Sequence, residues 1–476
     1  MQGGREGTGV ELGVKMASTT NLDRTEHAPT TPGRLAAVRK QMFIDFCTAL
    51  EAHGIPYVIL AGHRDYPERI ASDVDFMVCE RDFARLPAIL NTPECVSGAQ
   101  IVQVLEHEIS ARYFVLARQE GERIAYLHPD SAANYRLDAR LWLRSESVLA
   151  TRRRSPAGFW IPSAAVEFEY YLFKRVEKEC VEERHLEQLR ALFDEDASGC
   201  RESLQRMFPA ELVQEVSCAI ARMDVAWFRT RRESLAGCLS RNLPRESMPG
   251  RMSSRLQESR RIFRRVINPS GFIVAILGPD GSGKTTVIEH LEKEFASAFR
   301  GVRRFHLRPH FGRTAGGTTV RDPHAQEPRG RLASCLKIGM FAADYWSSWL
   351  RHVMPSKIRS TLIVFDRYYH DLLVDQRRYR LPARFTLARW LSPLIPQPDL
   401  WLVLDAPAEN LVARKGEISL DAARSLTAAY AALAHRLPNA VIIDSGTSVD
   451  QTLQAAVRAV RERLGIRAQS TLRRLL

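Results

Sequence analysis

No stretch of this sequence approaches the roughly 18–20 consecutive apolar residues that a membrane-spanning helix requires. The longest apolar runs, such as Phe272 to Leu277, have the length of buried strands. No apolar segment followed by small residues marks a secretory signal near the amino terminus. Residues 1–33, rich in Gly, Thr and charge, are expected to form a disordered leader, with Met16 as an alternative start. The 8 cysteines are scattered, no two at CxxC spacing, which argues against both a zinc site and a disulfide framework. Reduced thiols in a cytoplasmic protein are the economical expectation. Internal repeats and low-complexity tracts are also missing, as is the basic-aromatic pattern of a nucleic-acid module. The net charge of +13 is therefore read mainly as solvated surface, and nucleic acid is not expected as a partner.

What the chain does contain is length and an ordinary globular balance. Its 476 residues, 45% hydrophobic and 26% charged, call for two to three domains rather than one core. From Leu35 to Leu50 apolar residues recur at helical spacing, followed by a short strand at Tyr57 to Leu60. Further strands are expected at Asp73 to Val78, Ile101 to Leu105, Tyr113 to Ala117 and Ile124 to His128, with a helix at Asp82 to Leu90. The turn at Gln119 to Glu122 suggests a hairpin. Residues 34–150 thus read as an α+β domain. Residues 151–241 read as a helical extension packing on it, with Ala165, Phe168, Tyr171, Leu172 and Val176 in one apolar stripe. Residues 242–268 form an Arg-rich join, a linker or surface helix in which 7 Arg outnumber 2 Glu.

From 269 to 467 short apolar runs alternate with helical segments. This pattern implies an α/β domain, a parallel sheet with helices on both faces, and a tail from 468 to 476. At its start, Gly278-Pro-Asp-Gly-Ser-Gly-Lys-Thr285 fits GxxxxGK[ST] directly after an apolar strand and before a helix. Small residues there let backbone N–H groups turn inward around a phosphate, and the helix amino terminus adds its positive dipole end. Gly278, Asp280, Gly281, Ser282, Gly283, Lys284, Thr285 and Thr286 are the candidate nucleotide-binding residues. Lys284 would bridge β- and γ-phosphates of ATP, and the Thr285 hydroxyl would ligate Mg²⁺. Asp366-Arg367 closes the strand Thr361 to Phe365, where ligands of parallel sheets collect. Asp366 is a candidate for the Mg²⁺ shell, and Arg367 for an acceptor phosphate.

Gly278-Pro-Asp-Gly-Ser-Gly-Lys-Thr-Thr286 with Phe365-Asp-Arg-Tyr-Tyr-His-Asp371 resembles the thymidylate kinase superfamily over roughly residues 270–465. The resemblance implies a kinase using ATP and Mg²⁺, with Asp280 contacting the acceptor and Arg414 and Lys415 at the start of a basic lid. It also implies a homodimer. In place of the family's Arg-Glu-Pro-Gly type loop stands Phe305-His-Leu-Arg-Pro-His310, where Arg308 would grip an anionic acceptor and His306 or His310 orient it. The segment from Thr314 to Leu332 has no counterpart. Phosphate transfer carries over; thymidylate as acceptor does not, and a nucleoside monophosphate, sugar or other metabolite stays open.

Ser72-Asp-Val-Asp75 at a strand start, preceded by Gly62, resembles the nucleotidyltransferase fold. Asp73 and Asp75 share a face because the strand period is two. With Asp130 as third carboxylate, or Glu106 or Glu108 in its stead, they would hold Mg²⁺ and activate a hydroxyl. Three functions are therefore expected: an ATP-dependent small-molecule kinase, a bifunctional kinase and nucleotidyltransferase, or an ATP-binding regulatory protein without catalysis.

Overall fold

The computed structural model describes residues 32–71, 73–92, 98–137, 140–178, 180–242, 248–307, 330–382, 386–415 and 419–475. The expected leader (up to residue 31), Ser72, Arg308, His310 and Asp322 to His324 lie outside them. The chain divides into two compact units, one built on Ala164–Leu243 and one on Arg34–Ser163 with Pro244–Leu476.

The first unit is helical: Ala164–Glu177, Glu183–Glu195, Ala197–Met207, Ala210–Ala221 and Val225–Asn242. Its apolar stripe turns Phe168, Leu172 and Val176 inward, with Leu186, Leu189 and Leu204 also buried. The break between the second and third helices is fixed by Asp196, whose carboxylate accepts the backbone N–H of Gly199 at 2.9 Å, a side-chain cap on an otherwise unsatisfied donor.

The second unit holds two sheets that share a core. Strands β1 (Tyr57–Ile59), β2 (Val74–Val78), β3 (Gln100–Glu108), β4 (Ala111–Glu120), β5 (Arg123–Leu127) and β6 (Pro129–Ala132) form the amino-terminal sheet. Its order is β1-β2-β6-β4-β3, with β5 paired to β4. Only β2 and β6 run parallel. The expected hairpin is present, with Glu120 opposite Arg123. The helix expected over Asp82 to Leu90 is two short helices, Glu80–Phe83 and Leu86–Leu90, which leaves Pro87 in the second one's first turn, where its missing N–H costs nothing. Two small antiparallel pairs follow: β7 (Asn134–Leu137) with β8 (Arg140–Arg144), and β9 (Arg153–Arg154) with β10 (Trp160–Ile161). The last pair lies in the segment expected to begin the helical extension. Phe159 and Ile161 instead fill the core of the amino-terminal sheet, so that the helical unit starts at Ala164.

The parallel sheet contains β11 (Phe272–Leu277), β12 (Gly301–His306), β13 (Thr361–Asp366), β14 (Leu400–Asp405) and β15 (Ala440–Asp444) in the order β12-β13-β11-β14-β15. All neighbours are parallel. Every residue of β11 is buried, as a central strand covered on both faces requires.

The Arg-rich join is helical from Met248 to Ile267, one of the two forms expected for it, and Arg261 on it is buried. The expected tail is part of one helix, Val449–Leu475. That helix runs on because it has two cores to cover: Ala456, Val457 and Val460 pack on the parallel sheet, while Ala468 and Leu472 enter the core of the amino-terminal sheet. The two sheets also share apolar contacts directly, since Val102, Val115, Ala117 and Ile124 join Phe272, Leu291 and Phe295 in one cluster. Polar contacts fix the register: the Tyr126 hydroxyl donates to the Glu294 carbonyl at 3.0 Å, and Gln103 Nε2 donates to Ser360 Oγ at 3.0 Å.

Candidate active site

The carboxyl ends of the parallel strands surround a cavity of about 550 Å³. Its floor is the loop between β11 and the helix Lys284–Phe295. Gly278, Gly281 and Gly283 all have positive φ there, a conformation that costs a side chain but not glycine. At Gly278 an added Cβ would meet the Leu404 carbonyl at 2.9 Å, so the loop is pressed against β14. At Gly283 the space is open, which leaves the backbone accessible to a phosphate. Thr285 and Thr286 stand on the first turn of the helix, exposed, and line the cavity.

Lys284 is buried, and its ammonium donates to the carbonyls of Gly278 at 3.0 Å and Pro279 at 2.7 Å. Burial, and then the Arg367 charge, push its pKa down from 10.5 to about 8, against the pull of Asp280, Asp371 and Asp366. A group held this way gains most when an anion arrives.

Asp280 is the hub of a charge network. Its two carboxylate oxygens accept from Arg367 Nη2 and Arg378 Nη1, and Lys284 lies 3.5 Å away. Burial works against its charge, but Arg367, Lys284 and Arg378 together hold its carboxyl well below the usual range. Arg367 has positive φ, and its backbone N–H donates to the Ile276 carbonyl at 3.0 Å, tying β13 back to β11. Its guanidinium is buried between Asp280 and Asp371. Asp371, fully buried, accepts from Arg367 at 2.7 Å and from the hydroxyls of Tyr379 at 2.6 Å and Tyr430. Burial opposes the Arg367 charge, yet Asp371 and its neighbours keep that charge firmly in place.

Asp366 sits across the cavity. One oxygen, Oδ2, is 3.2 Å from His306 Nδ1 and 3.7 Å from Arg304; the other, Oδ1, is buried with no hydrogen-bond partner. Burial raises its pKa, but His306, Lys284 and Arg367 outweigh this and lower it. Ser282 Oγ is likewise buried and unpartnered. Such orphaned oxygens are expected where a ligand completes the site. Arg414, exposed on the helix Ala408–Lys415, donates to the Gly281 carbonyl at 3.0 Å and so reaches the loop from the far side. The Lys415 side chain and Arg308 lie outside the described residues.

These donors suit Mg²⁺ bound with a nucleotide. Thr285 and Asp366 Oδ1 are hard oxygen groups that line the same cavity. Among the described residues no group of three His, Cys, Asp or Glu is arranged to hold an ion alone.

Sequence reasoning brought together Lys284, Asp280, Asp366, Arg367 and Arg414, and the fold gathers all of them at this cavity. It missed Arg378, Asp371, Tyr379 and Tyr430. Asp371 stood in the quoted Asp366 to Asp371 motif without a role, and no spacing signals Arg378, which reaches Asp280 from an irregular segment.

The amino-terminal carboxylates fare differently. Asp75 and Asp130 stand in register on the parallel strands β2 and β6. Asp73, just before β2, accepts from the Tyr113 hydroxyl at 2.9 Å, and Asp130 lies 3.5 Å from His107. The three do not form a metal-holding group. Strand alternation did not anticipate that β4 and β3 would bring Tyr113 and His107 to these oxygens.

Residues 276–456 match the family model for thymidylate kinase. The carboxy-terminal half is an ATP-dependent kinase domain, similar to the thymidylate kinases. A thymidylate kinase of Xanthomonas campestris pv. campestris (strain B100) is 29% identical over 217 residues, 43% of this chain and 91% of the relative. A probable thymidylate kinase of Pyrobaculum aerophilum is 28% identical over 152 residues, 30% of this chain and 68% of the relative. Among solved structures, the thymidylate kinase of Candida albicans covers 40% of this chain and 91% of its own at 16% identity and a TM-score of 0.30. The kinase domain thus has relatives along nearly its whole length, while these alignments leave more than half of the chain uncovered. No helix among the described residues is long and apolar enough to cross a membrane.

Proposed function

We propose that the kinase domain transfers the γ-phosphoryl group of ATP to a small anionic acceptor, a nucleoside monophosphate or a phosphorylated metabolite. The observation that carries this reading is the convergence of Lys284, Asp366 and the Asp280–Arg367–Arg378 network on one cavity. The glycine loop and the helix amino terminus would hold the donor phosphates, and Lys284 would leave its carbonyl partners to neutralise charge on the transferring group. Arg378, the more exposed of the two guanidiniums on Asp280, would grip the acceptor, and Arg367 would hold Asp280 in place. Arg414 and Lys415 would close over the loop and exclude water. Mg²⁺, held by Thr285 and through Asp366, supplies charge neutralisation and alignment of the donor phosphates when bound.

Lys284→Ala should lower turnover by about 10²–10³ with Mg-ATP, the scale of removing a key charge stabiliser. Retention of full activity by this variant would refute the assignment. ATP binding by the natural protein without phosphoryl transfer to any acceptor would instead leave the chain as an ATP-binding regulator. The acceptor is best sought by thermal shift with nucleoside monophosphates, sugars and sugar phosphates in the presence of a non-hydrolysable ATP analogue, because binding raises stability by mass action.

One observation favours a second activity. Asp75 and Asp130 in register, with Asp73 two residues from Asp75, have the strand placement that a nucleotidyltransferase would use, though the three are not grouped to hold an ion by themselves. Pyrophosphate release from ATP should then be lost in Asp73→Asn with Asp75→Asn while Lys284-dependent turnover persists; unchanged release would exclude it.

A further inference from the structure

A second, larger cavity of about 690 Å³ lies at the other edge of the parallel sheet. Where the phosphate cradle uses the carboxyl ends of the strands, this cavity opens at their amino ends, beside Phe272 of β11, Arg300 before β12 and Asp399 before β14. Its remaining walls are β3 of the amino-terminal sheet, the helix Met248–Ile267 and the carboxy-terminal part of the helix Val449–Leu475. It is a space that exists only because the two sheets are joined.

Its lining carries 7 arginines and 1 lysine against 2 carboxylates, Glu106 and Asp399, a net charge of +6 out of +13 for the whole chain. Glu258, outside the lining, offsets one more through Arg261 at 2.8 Å. The cations are held mainly by neutral backbone carbonyls. Arg467 donates to Gly271 at 2.8 Å and to Pro269, Arg265 to Ile358 at 3.0 Å, and Arg261 to Glu106 at 3.0 Å. Carbonyls fix a guanidinium in place without cancelling its charge. Lys357 is closely paired with a carboxylate of the lining, 3.0 Å from Asp399. Burial, then mutual repulsion with Arg300 and Arg261, depresses the Arg265 pKa; burial and Arg474 do the same at Arg467, against Asp399. The Ser270 hydroxyl is buried there with no partner.

A fold does not assemble like charges around a nucleotide-sized hollow for stability, since the inner ones, Arg261, Arg265 and Arg467, are partly desolvated and like charges repel. An anion with several phosphate groups would relieve both costs, and preorganised guanidiniums match phosphate geometry. The volume lies in the range of small-molecule sites. A concave pocket, in contrast to an open basic stripe, favours a compact ligand over a nucleic-acid chain.

We propose that this cavity is a second ligand site, built jointly by the amino-terminal and kinase domains, for a small molecule bearing two or more phosphate groups. Binding there would bridge the β3 edge to the Val449–Leu475 helix and so couple the occupancy of the cavity to how the two domains are held.

The probe is inorganic tripolyphosphate, titrated calorimetrically into the full chain in magnesium-free buffer at physiological salt. Two binding events are expected, one removed by Lys284→Ala. The other should persist in Lys284→Ala and weaken by about tenfold or more in Arg300→Gln with Arg474→Gln, both exposed side chains whose loss spares the fold. Thermal unfolding of each variant confirms that the fold is kept. A single event that Lys284→Ala abolishes would overturn the proposal. So would equal weakening by the charge-matched pair Arg222→Gln with Arg229→Gln, which would assign the binding to the overall field. A short DNA duplex that binds more tightly than tripolyphosphate, and loses affinity in the Arg300 and Arg474 variant, would overturn it in favour of a nucleic-acid site.

Discussion

The depressed pKa of Lys284 makes nucleotide binding a proton-uptake reaction above neutral pH. Without nucleotide the ammonium is buried beside Arg367, with a pKa near 8 instead of 10.5, a difference of about 3 kcal/mol against its charge. A triphosphate in the cradle supplies the opposite charge and returns the pKa toward 10.5. The lysine is then neutral in most free molecules at pH 9 but protonated in the complex. Between pH 7.5, where the γ-phosphate is already ionised, and pH 9, affinity for ATP should fall roughly eightfold, with close to one proton taken up at the upper limit. Calorimetry in buffers of different ionisation enthalpy measures that proton directly. The sign is specific: the same lowered pKa means the folded apo protein binds fewer protons than the unfolded chain between pH 8 and 10.5, so that apo stability gains over this window while ATP affinity drops. Lys284→Arg, permanently charged, should bind ATP with no such pH dependence. Flat affinity and no proton uptake in the natural protein, or the same slope in Lys284→Arg, would refute the account.

Three further outcomes follow from the packing. Asp371→Ala strands the buried Arg367 charge and orphans two tyrosine hydroxyls; the kinase-domain unfolding transition, followed by the fluorescence of buried Trp401, should lose about 3–5 kcal/mol. Gly271→Ala would place a Cβ at 2.5 Å from Lys357 Cα and 2.8 Å from the Thr361 carbonyl, backbone atoms that cannot swing away, and should cost about 1–3 kcal/mol in urea unfolding with little change in the KM for ATP. A fragment starting at residue 269 uncovers Phe272, Leu464 and Leu472, which the amino-terminal sheet and its core otherwise bury; it should aggregate or bind a hydrophobic dye, and a soluble, cooperative fragment would contradict the shared core.

Much of the kinase-type sheet is legible because each of its elements declares itself locally. Phe272 to Leu277 is a buried strand by composition, and the glycines after it can be read as a turn about a phosphate. Asp366 and Arg367 are legible because a strand end has a known relation to its neighbours in a parallel sheet. Arg378 and Tyr430 are not, since their link to Asp280 and Asp371 depends on how an irregular segment and a distant helix are folded over. The end of the chain illustrates the same limit. Leu472 looks like the end of a polar tail until the helix that carries it is seen to cross from one sheet to the other.

By itself the sequence determined the phosphate cradle and the strand-helix alternation, because backbone conformation and burial period act over a few residues. It also determined the excess of positive charge. Only the tertiary structure decided where that charge goes. Arginines from the join, from the start of β12 and from the last helix are far apart along the chain, and gather around one cavity only when two sheets close on each other. It likewise decided which oxygens Asp280 and Asp371 offer and to whom, since desolvated charges choose partners by proximity in space.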